Sequence, residues 1–423
     1  MQEEQQVAIL VGAELQQQSS HERSMDELEQ LAFACEVAVE AKVSQRLEKI
    51  NPSTYIGAGK LLEVKQVLSA TDANLVIFDD ELSPSQIRNT EQILECKVID
   101  RTILILDIFA QRAKTKEAKL QVELAKLQYM LPRLVGLRQS LGRQSGGVGT
   151  TNRGAGETKL ELDRRKIEEK MSILSKELER LVKQRQIQRG RRQKQEMPVV
   201  ALVGYTNAGK STLMNAFLQF GTNASDKKYV FEENMLFATL ETSVRKVTLP
   251  KNRSFLLTDT VGFVNKLPHH LVKAFRSTLE EVKEADLLLH VVDYSNPNYE
   301  QQIQVTNETL KEIGVENIPM IYLFNKSELV DDKFHINRED SLYVSAREKK
   351  GFEALLQTLE LSLFATDVKV EFLFPYTAGE HVHYFQNHAD VLEMEHQETG
   401  TYMKVICRLK DKQKYEQFMI KTV

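Results

Sequence analysis

The chain has 423 residues, 42% hydrophobic and 27% charged, with a formal net charge of −4. That length is too great for one ordinary domain and suggests about three. No apolar run approaches the ~20 residues needed to cross a bilayer, and the overall charge excludes a general polycation, so any nucleic-acid contact must be local. The start, Met1-Gln2-Glu3-Glu4-Gln5, lacks the basic and apolar character of a signal peptide, and a cytoplasmic protein is expected. Cys35, Cys96 and Cys407 are far apart without CxxC spacing, which argues against a disulfide scaffold and a zinc site.

Residues 1–113 read as an N-terminal α/β domain. Strand-like runs at Val7 to Val11, Asn74 to Asp79 and Lys97 to Asp100 alternate with helical stretches at Met25 to Cys35 and Pro84 to Leu94. Ser24 with Glu27 three residues on predicts a capping box at the first helix start. Tyr55-Ile56-Gly57-Ala58-Gly59-Lys60 has the look of a phosphate loop, but no apolar strand precedes it and no Ser or Thr follows Lys60, so it is a weak nucleotide signal.

Residues 114–196 carry two helical seams. Leu120, Leu124, Leu127 and Leu131 form the first, which Pro132 is expected to stop; Leu160, Ile167, Met171, Leu174, Leu178 and Leu181 form the second. The seams fit an antiparallel hairpin, or two amphipathic helices packed on neighbouring domains; either places the connection at a tip. From Leu124 to Gly156 there is no acidic residue, while Lys126, Arg133, Arg138, Arg143 and Arg153 are interleaved with Gly142, Gly146, Gly147, Gly149, Gly154 and Gly156. Cations on a backbone that can approach closely suit RNA phosphates and splayed bases; a solvated linker is the other reading. A second basic run, Lys183 to Lys194, leads into the next domain.

Residues 197–365 contain four motifs in an informative order. Gly204-Tyr205-Thr206-Asn207-Ala208-Gly209-Lys210-Ser211, followed by Thr212, lies between an apolar run, Val199 to Val203, and a helix-like stretch. This is a phosphate-binding loop in context: backbone N–H groups and a helix N-terminus face the phosphates, Lys210 adds a full charge, and Ser211 is placed to hold Mg²⁺. Asp259-Thr260-Val261-Gly262 follows the strand-like Ser254 to Thr258; Asp259 suits a metal's water shell, and Gly262 offers its N–H to a γ-phosphate. Asn325-Lys326-Ser327-Glu328 follows the apolar Met320 to Phe324, and Ser345, Ala346 and Arg347 lie at the end of another candidate strand. These two motifs suit guanine, whose two N–H donors a carboxylate accepts together and whose O6 can be met by Asn325 or the Ala346 N–H. Adenine would leave groups unpaired. Glu328 is one methylene longer than the usual aspartate, which leaves either the same selectivity from a shifted backbone or a relaxed one.

Phe237-Ala238-Thr239-Leu240-Glu241 supplies a candidate switch, with Thr239 ligating Mg²⁺ by its hydroxyl and meeting the γ-phosphate by its N–H. Lys210, Thr239 and Gly262 are therefore the candidate catalytic residues, and Ser211, Thr239 and Asp259 the candidate metal ligands. Phe263 stands where a water-positioning glutamine would be and cannot orient a nucleophile. Slow hydrolysis is expected unless a partner, a rearranged loop or a monovalent cation supplies the missing stabilisation. Asn207 points to K⁺, because potassium-using GTPases carry asparagine there, or else merely shapes the loop. Residues 366–423 read as a small C-terminal α/β domain, with strand-like Val368 to Phe374, Val391 to Glu395 and Tyr402 to Leu409 around a helical His381 to His388. His381, His383 and His388 lack a carboxylate at metal spacing and are assigned packing or surface roles.

The chain resembles the HflX family of GTPases along its length. The residues that carry the resemblance are Tyr55 to Lys60, Gly146-Gly147-Val148-Gly149, Gly154-Ala155-Gly156-Glu157-Thr158-Lys159-Leu160-Glu161 and Asp163-Arg164-Arg165, with Phe237 to Leu240 and Asp259 to Phe263 in the switch domain. Glu328 departs from the family's aspartate, and Phe263 is normal for it. The resemblance implies hydrolysis of GTP to GDP and phosphate, binding to the large (50S) ribosomal subunit and its rRNA through the hairpin, splitting or rescue of stalled ribosomes under stress, and ATP binding at the N-terminal domain. The expected fold is thus a P-loop GTPase domain with an N-terminal α/β domain, a helical hairpin and a small C-terminal α/β domain, in a monomer. The alternatives are an RNA-remodelling ATPase acting through the N-terminal domain and a protein-binding switch without nucleic acid.

Overall fold

The structure is a computed structural model that describes residues 6–15, 21–144, 153–193, 197–220, 236–237, 243–249, 253–268, 271, 281–330 and 340–422; the side chains of 134–144, 153–160, 185–193 and 421–422 are excepted. The chain forms two compact units. One comprises Met1–Gln188 with Glu233–Glu241 and Val264–Ser277; the other comprises Arg189–Glu232, Thr242–Phe263 and Thr278–Val423.

The first unit is built on a parallel sheet of four strands, β1 (Val7–Leu15), β2 (Ala38–Leu47), β3 (Leu75–Phe78) and β4 (Lys97–Asp100), in the order β2-β1-β3-β4. Parallel strands need crossovers, here α1 (His21–Ala34), α2 (Ala58–Ala70) and α3 (Pro84–Leu94). Ile9, Val11, Val76, Phe78 and Val98 meet in one core with Leu61 and Val64 of α2. β2 is a strand the sequence reading did not identify; it lies at the sheet edge and alternates between half-buried and exposed positions.

Two local expectations are corrected. The helix α1 begins at His21, so Ser24 lies inside it and caps nothing; its hydroxyl instead donates to Asp79 Oδ2 at 2.7 Å. The capping box is at Ser83, whose side chain accepts from Gln86 N while the Gln86 side chain accepts from Ser83 N. Pro132 does not stop its helix either, because α5 runs Lys116–Gln144 with Pro132 inside it. Side-chain bonds hold the helix around the proline: the Tyr129 hydroxyl donates to Asp100, and Arg133 donates to Tyr129 O one turn back in the same helix and to Leu82 O outside it, each at 2.8 Å. Such contacts offset the lost backbone bond.

The helix α4 (Arg101–Arg112) is capped by Asp100, which accepts from Ile103 N at 3.0 Å. The long helix α6 (Arg153–Gln193) then pairs with α5. Leu120 and Leu124 pack with Leu174, flanked by Leu127, Met171, Leu178 and Leu181. Lys116 pairs with Glu177 and Glu123 with Lys170; the partner recedes along α6 as α5 advances, so the helices are an antiparallel hairpin. Gly142 and Arg143 fall in α5, and Arg153, Gly154 and Gly156 in α6. The glycine-rich stretch outside these helices, 145–152, lies outside the described residues.

The second unit has a six-stranded sheet in the order β10-β9-β8-β5-β7-β6, parallel except for β6 against β7. The strands are β5 (Val199–Val203), β6 (Ser243–Thr248), β7 (Ser254–Asp259), β8 (Leu287–Asp293), β9 (Met320–Asn325) and β10 (Ser341–Tyr343). Helices α7 (Lys210–Phe220), α8 (Tyr299–Glu312) and α9 (Phe352–Leu363) accompany it. Leu202, Leu213, Phe217, Leu257, Leu289 and Leu355 share its main core. β5, β8 and β9 are nearly continuous apolar runs, as expected for strands covered on both faces.

After α9 comes an antiparallel sheet of β11 (Val368–Phe374), β12 (Asp390–Gln397), β13 (Gly400–Cys407) and β14 (Met419–Thr422), with α10 (Gly379–His388) packed on it through Phe385. The three histidines singled out from the sequence make packing contacts: His381 lies against Tyr415, His383 is bonded to Asn387, and His388 stacks on Tyr384.

Candidate nucleotide-binding site

The site lies at the carboxyl ends of β5, β7 and β9, where a parallel sheet brings loops and a helix N-terminus together. The loop after β5 turns at Gly204, which has φ +145° and whose Cβ would stand 2.2 Å from Val291 O. No other residue fits that approach. Asn207 is also left-handed at φ +61°, and Gly209 has φ +94° with a Cβ position 2.3 Å from Asn325 Nδ2. These turns deliver the chain to the N-terminus of α7 at Lys210. Tyr205, Thr206 and Ala208 of the loop are buried, while Ser211 and Thr212 are half-buried at the start of α7.

Lys210 donates from Nζ to Gly204 O at 3.0 Å and Tyr205 O at 2.7 Å. Burial pulls its pKa down to about 8, against the opposing pull of Asp259. An anionic phosphate would favour the charged form, so binding must take up a proton once the free protein's Lys210 is neutral. Apparent GTP affinity should therefore be flat below pH 8 and fall as pH rises above it. Calorimetry in buffers of different ionisation enthalpy would show proton uptake near pH 9; no uptake there would contradict this assignment.

Asp259, fully buried at the end of β7, accepts from Ser211 Oγ at 2.8 Å. These adjacent oxygens suit a hard cation completed by phosphate oxygens and water, which fits Mg²⁺. The Thr260 hydroxyl donates to Leu202 O at 2.6 Å, locking the turn to β5, and Val261 is buried. Gly262 passes so close to the loop that its Cβ would stand 2.7 Å from Thr206 Cα and 3.1 Å from Lys210 Nζ. Phe263 is buried and pairs with the phosphate loop, donating from N to Gly204 O at 3.2 Å and accepting at O from Thr206 N at 2.7 Å. Phe237, also buried, has φ +54° and meets Phe109 edge to face. Ala238 and Thr239 lie outside the described residues.

On the base side, Asn325 is a brace. It donates from Nδ2 to Ala208 O at 2.9 Å, and its Oδ1 accepts from Ala346 N at 2.9 Å. The side chain proposed to read O6 thus ties the phosphate loop to the Ser345-Ala346 turn. Ser345 is buried and accepts from Glu348 N at 3.0 Å, and Arg347 is exposed. Lys326, left-handed at φ +63°, donates to Asp293 Oδ2 at 2.6 Å. Glu328 sits in a single 3-10 turn, Ser327–Leu329, with Oε2 shielded from solvent and without a hydrogen-bond partner among the described residues. A shielded acceptor without a donor fits a ligand that brings one. Sequence reasoning missed Asp293, although its place at the end of the apolar run Leu287–Val292 was a signal, and His290, which burial and Lys210 keep neutral.

The ordered sheet, glycine-shaped phosphate loop, Ser–Asp oxygen pair and base-side turns define a P-loop GTPase. Three family profiles match consecutive parts of the chain: "GTP-binding GTPase N-terminal" at 22–110, "GTP-binding GTPase Middle Region" at 112–192 and "50S ribosome-binding GTPase" at 199–326. The chain is 46% identical over 393 residues to the GTPase HflX of Caldanaerobacter subterraneus subsp. tengcongensis, covering 92% of this chain and 89% of that protein. It is 43% identical over 398 residues to the GTPase HflX of Lacrimispora saccharolytica, covering 93% and 92%. It therefore belongs to the HflX family of GTPases. Among solved structures it is similar to a GTP-binding protein from Sulfolobus solfataricus in complex with GDP, with 24% identity, TM-score 0.43 and coverage of 85% of this chain and 98% of that one.

Proposed function

We propose that this GTPase docks on the large ribosomal subunit in its GTP state, splits or rescues stalled ribosomes under stress, and leaves after hydrolysis. The observation that supports the RNA contact is the α5–α6 hairpin, whose antiparallel pairing brings together the C-terminal end of α5 and the N-terminal end of α6, both of which belong to the acid-free stretch from Leu124 to Gly156. The profile named "50S ribosome-binding GTPase" on 199–326 supports the same partner. Cations at that end would bind rRNA phosphates with release of counterions. No helix among the described residues is long and apolar enough to cross a membrane, and we assign the protein to the cytoplasm, as a monomer with segments 1–113, 114–196, 197–365 and 366–423.

In this reading Gly204 to Thr212 cradle the phosphates, Ser211, Asp259 and Thr239 hold Mg²⁺, and Lys210, Thr239 and the Gly262 N–H stabilise the charge that develops on the γ-phosphate. Phe237 and Ala238 precede that threonine. Glu328 accepts the guanine N–H pair, and the turn from Ser345 to Arg347 closes over the base. Asn207, left-handed within the phosphate loop, would offer its side chain to K⁺. Phe263 leaves the water unpositioned, so ribosomal contact supplies the rest. Steady-state hydrolysis should rise about tenfold or more on adding purified large subunits, and should be faster in potassium than in sodium salts. Unchanged turnover with subunits would count against the partner; equal rates in the two salts would remove the cation.

A nucleotide-driven remodelling role for the N-terminal sheet has less support. The Gly57 N–H donates to Gln45 Oε1 at 2.8 Å and Lys60 pairs with Glu63 at 2.5 Å, so this loop serves its own fold.

A further inference from the structure

We infer that a buried charge cluster at the carboxyl ends of β3 and β4 links the segment after Gly262 to the hairpin helix α5, so that phosphate occupancy and the state of α5 bias each other. The inference uses the GTP site but not the ribosome, so its failure would leave the proposed partner untouched.

The chain leaves the nucleotide-binding unit at Phe263 and enters the N-terminal unit at Val264. Phe263 is laddered to Gly204 and Thr206 of the phosphate loop. Three residues later, Lys266 takes a left-handed backbone, φ +55°, which a residue with a Cβ disfavours. Its Nζ is 2.5 Å from Asp79 Oδ2 and 2.6 Å from Asp80 Oδ1. Between them, Asn265 donates from N and Nδ2 to the Glu27 carboxylate at 3.2 Å and accepts at O from Arg101 Nη1 at 3.3 Å. Side chains of the N-terminal unit, from α1, α4 and the turn after β3, thus grip the segment that must move if Gly262 is to follow a γ-phosphate.

The grip continues to the hairpin. Asp79, fully buried, accepts from Arg101 Nη2 at 2.6 Å as well as from Ser24 and Lys266. Burial alone would raise its pKa, but Arg101 and Lys266 outweigh burial and hold it down to about 2. Arg101 follows Asp100 directly. Asp100 Oδ2 accepts from Leu82 N at 2.9 Å and from the Tyr129 hydroxyl, and lies 3.6 Å from Arg133 Nη2. The Arg133 guanidinium sits over the Tyr129 ring, 3.1 Å from its centre. Tyr129 and Arg133 both belong to α5. Buried charges of this kind are costly to leave unpaired, so withdrawal of Lys266 forces Asp79 and Arg101 to readjust, and Asp100 and α5 with them. A cluster that only stabilised the sheet would not need a cation from the loop that senses the phosphate. Because coupling is reciprocal, whatever α5 touches must in turn alter nucleotide preference.

The test is backbone hydrogen exchange over residues 126–136 of the full chain, with a non-hydrolysable GTP analogue and with GDP. In the unaltered protein the two nucleotides should differ by about fivefold or more in exchange rate. Lys266→Met should bring that difference below about twofold while fluorescent GTP still binds, and Lys266→Arg should restore it. Should Lys266→Met fail to fold, Asp80→Asn, which leaves the Asp79–Arg101 pair intact, should weaken the difference in the same direction. Tyr129→Phe should change the ratio of GTP to GDP affinity. Exchange in α5 that ignores the nucleotide, or a full response that survives in Lys266→Met or Asp80→Asn, overturns the inference.

Discussion

Lys210→Met is expected to lower kcat/KM for GTP by about 10³-fold or more, because it removes a charge-assisted donor from both the bound phosphates and the transition state. The loss should be functional and not structural. Lys210 is buried in the free protein, with its Nζ bonded to the carbonyls of Gly204 and Tyr205. Burial lowers its pKa to about 8, which corresponds to a cost of about 3 kcal/mol for keeping the charge there. Methionine fills a similar volume without that cost, so the thermal stability of the nucleotide-free variant should not fall. Single-turnover hydrolysis and a melting curve measure both; activity within about threefold of the unaltered protein would refute the role.

Glu328→Ala should reduce the preference for GTP over ATP by about 10³-fold or more, since a site built around a hydrogen-bonding group discriminates strongly only while that group is present. Glu328 Oε2 is shielded and, among the described residues, without a partner, and guanine brings two donors on one edge to meet such a carboxylate. Glu328→Asp should retain discrimination within about tenfold, because a methylene shifts the carboxylate without removing it. Competition of ATP and XTP against labelled GTP gives the ratios. If Glu328→Ala discriminated as well as the unaltered protein, the guanine edge would have to be read elsewhere, with Asn325 a poor substitute because both ends of its amide are engaged.

What the sequence made legible follows from the range of the interactions. Gly204 and Gly209 could be read from spacing because their backbone demands are local, and both have positive φ. β5 and β9 stood out because strands buried on both faces are apolar throughout. The hairpin was visible in its leucine spacing, although the choice between a hairpin and two separately packed helices needed the Leu120, Leu124 and Leu174 contacts. β2 escaped because it is an edge strand with polar residues in its exposed positions. Ser24 misled because a serine ahead of a glutamate is a cap by local rules, and only Asp79, 55 positions away, diverts it. Pro132 misled for the same reason: Asp100 and Leu82 hold the residues around it. The bracing role of Asn325 and the grip of Asp79 on Lys266, 187 positions apart, have no local signature.

Co-sedimentation of the full chain with purified large ribosomal subunits, in a GTP analogue and in GDP at several salt concentrations, tests the central claim most directly. Strong co-migration in the analogue, weak co-migration in GDP and a steep loss of binding with salt are predicted. Equal recovery with both nucleotides, or none with either, would contradict a GTP-dependent ribosomal switch.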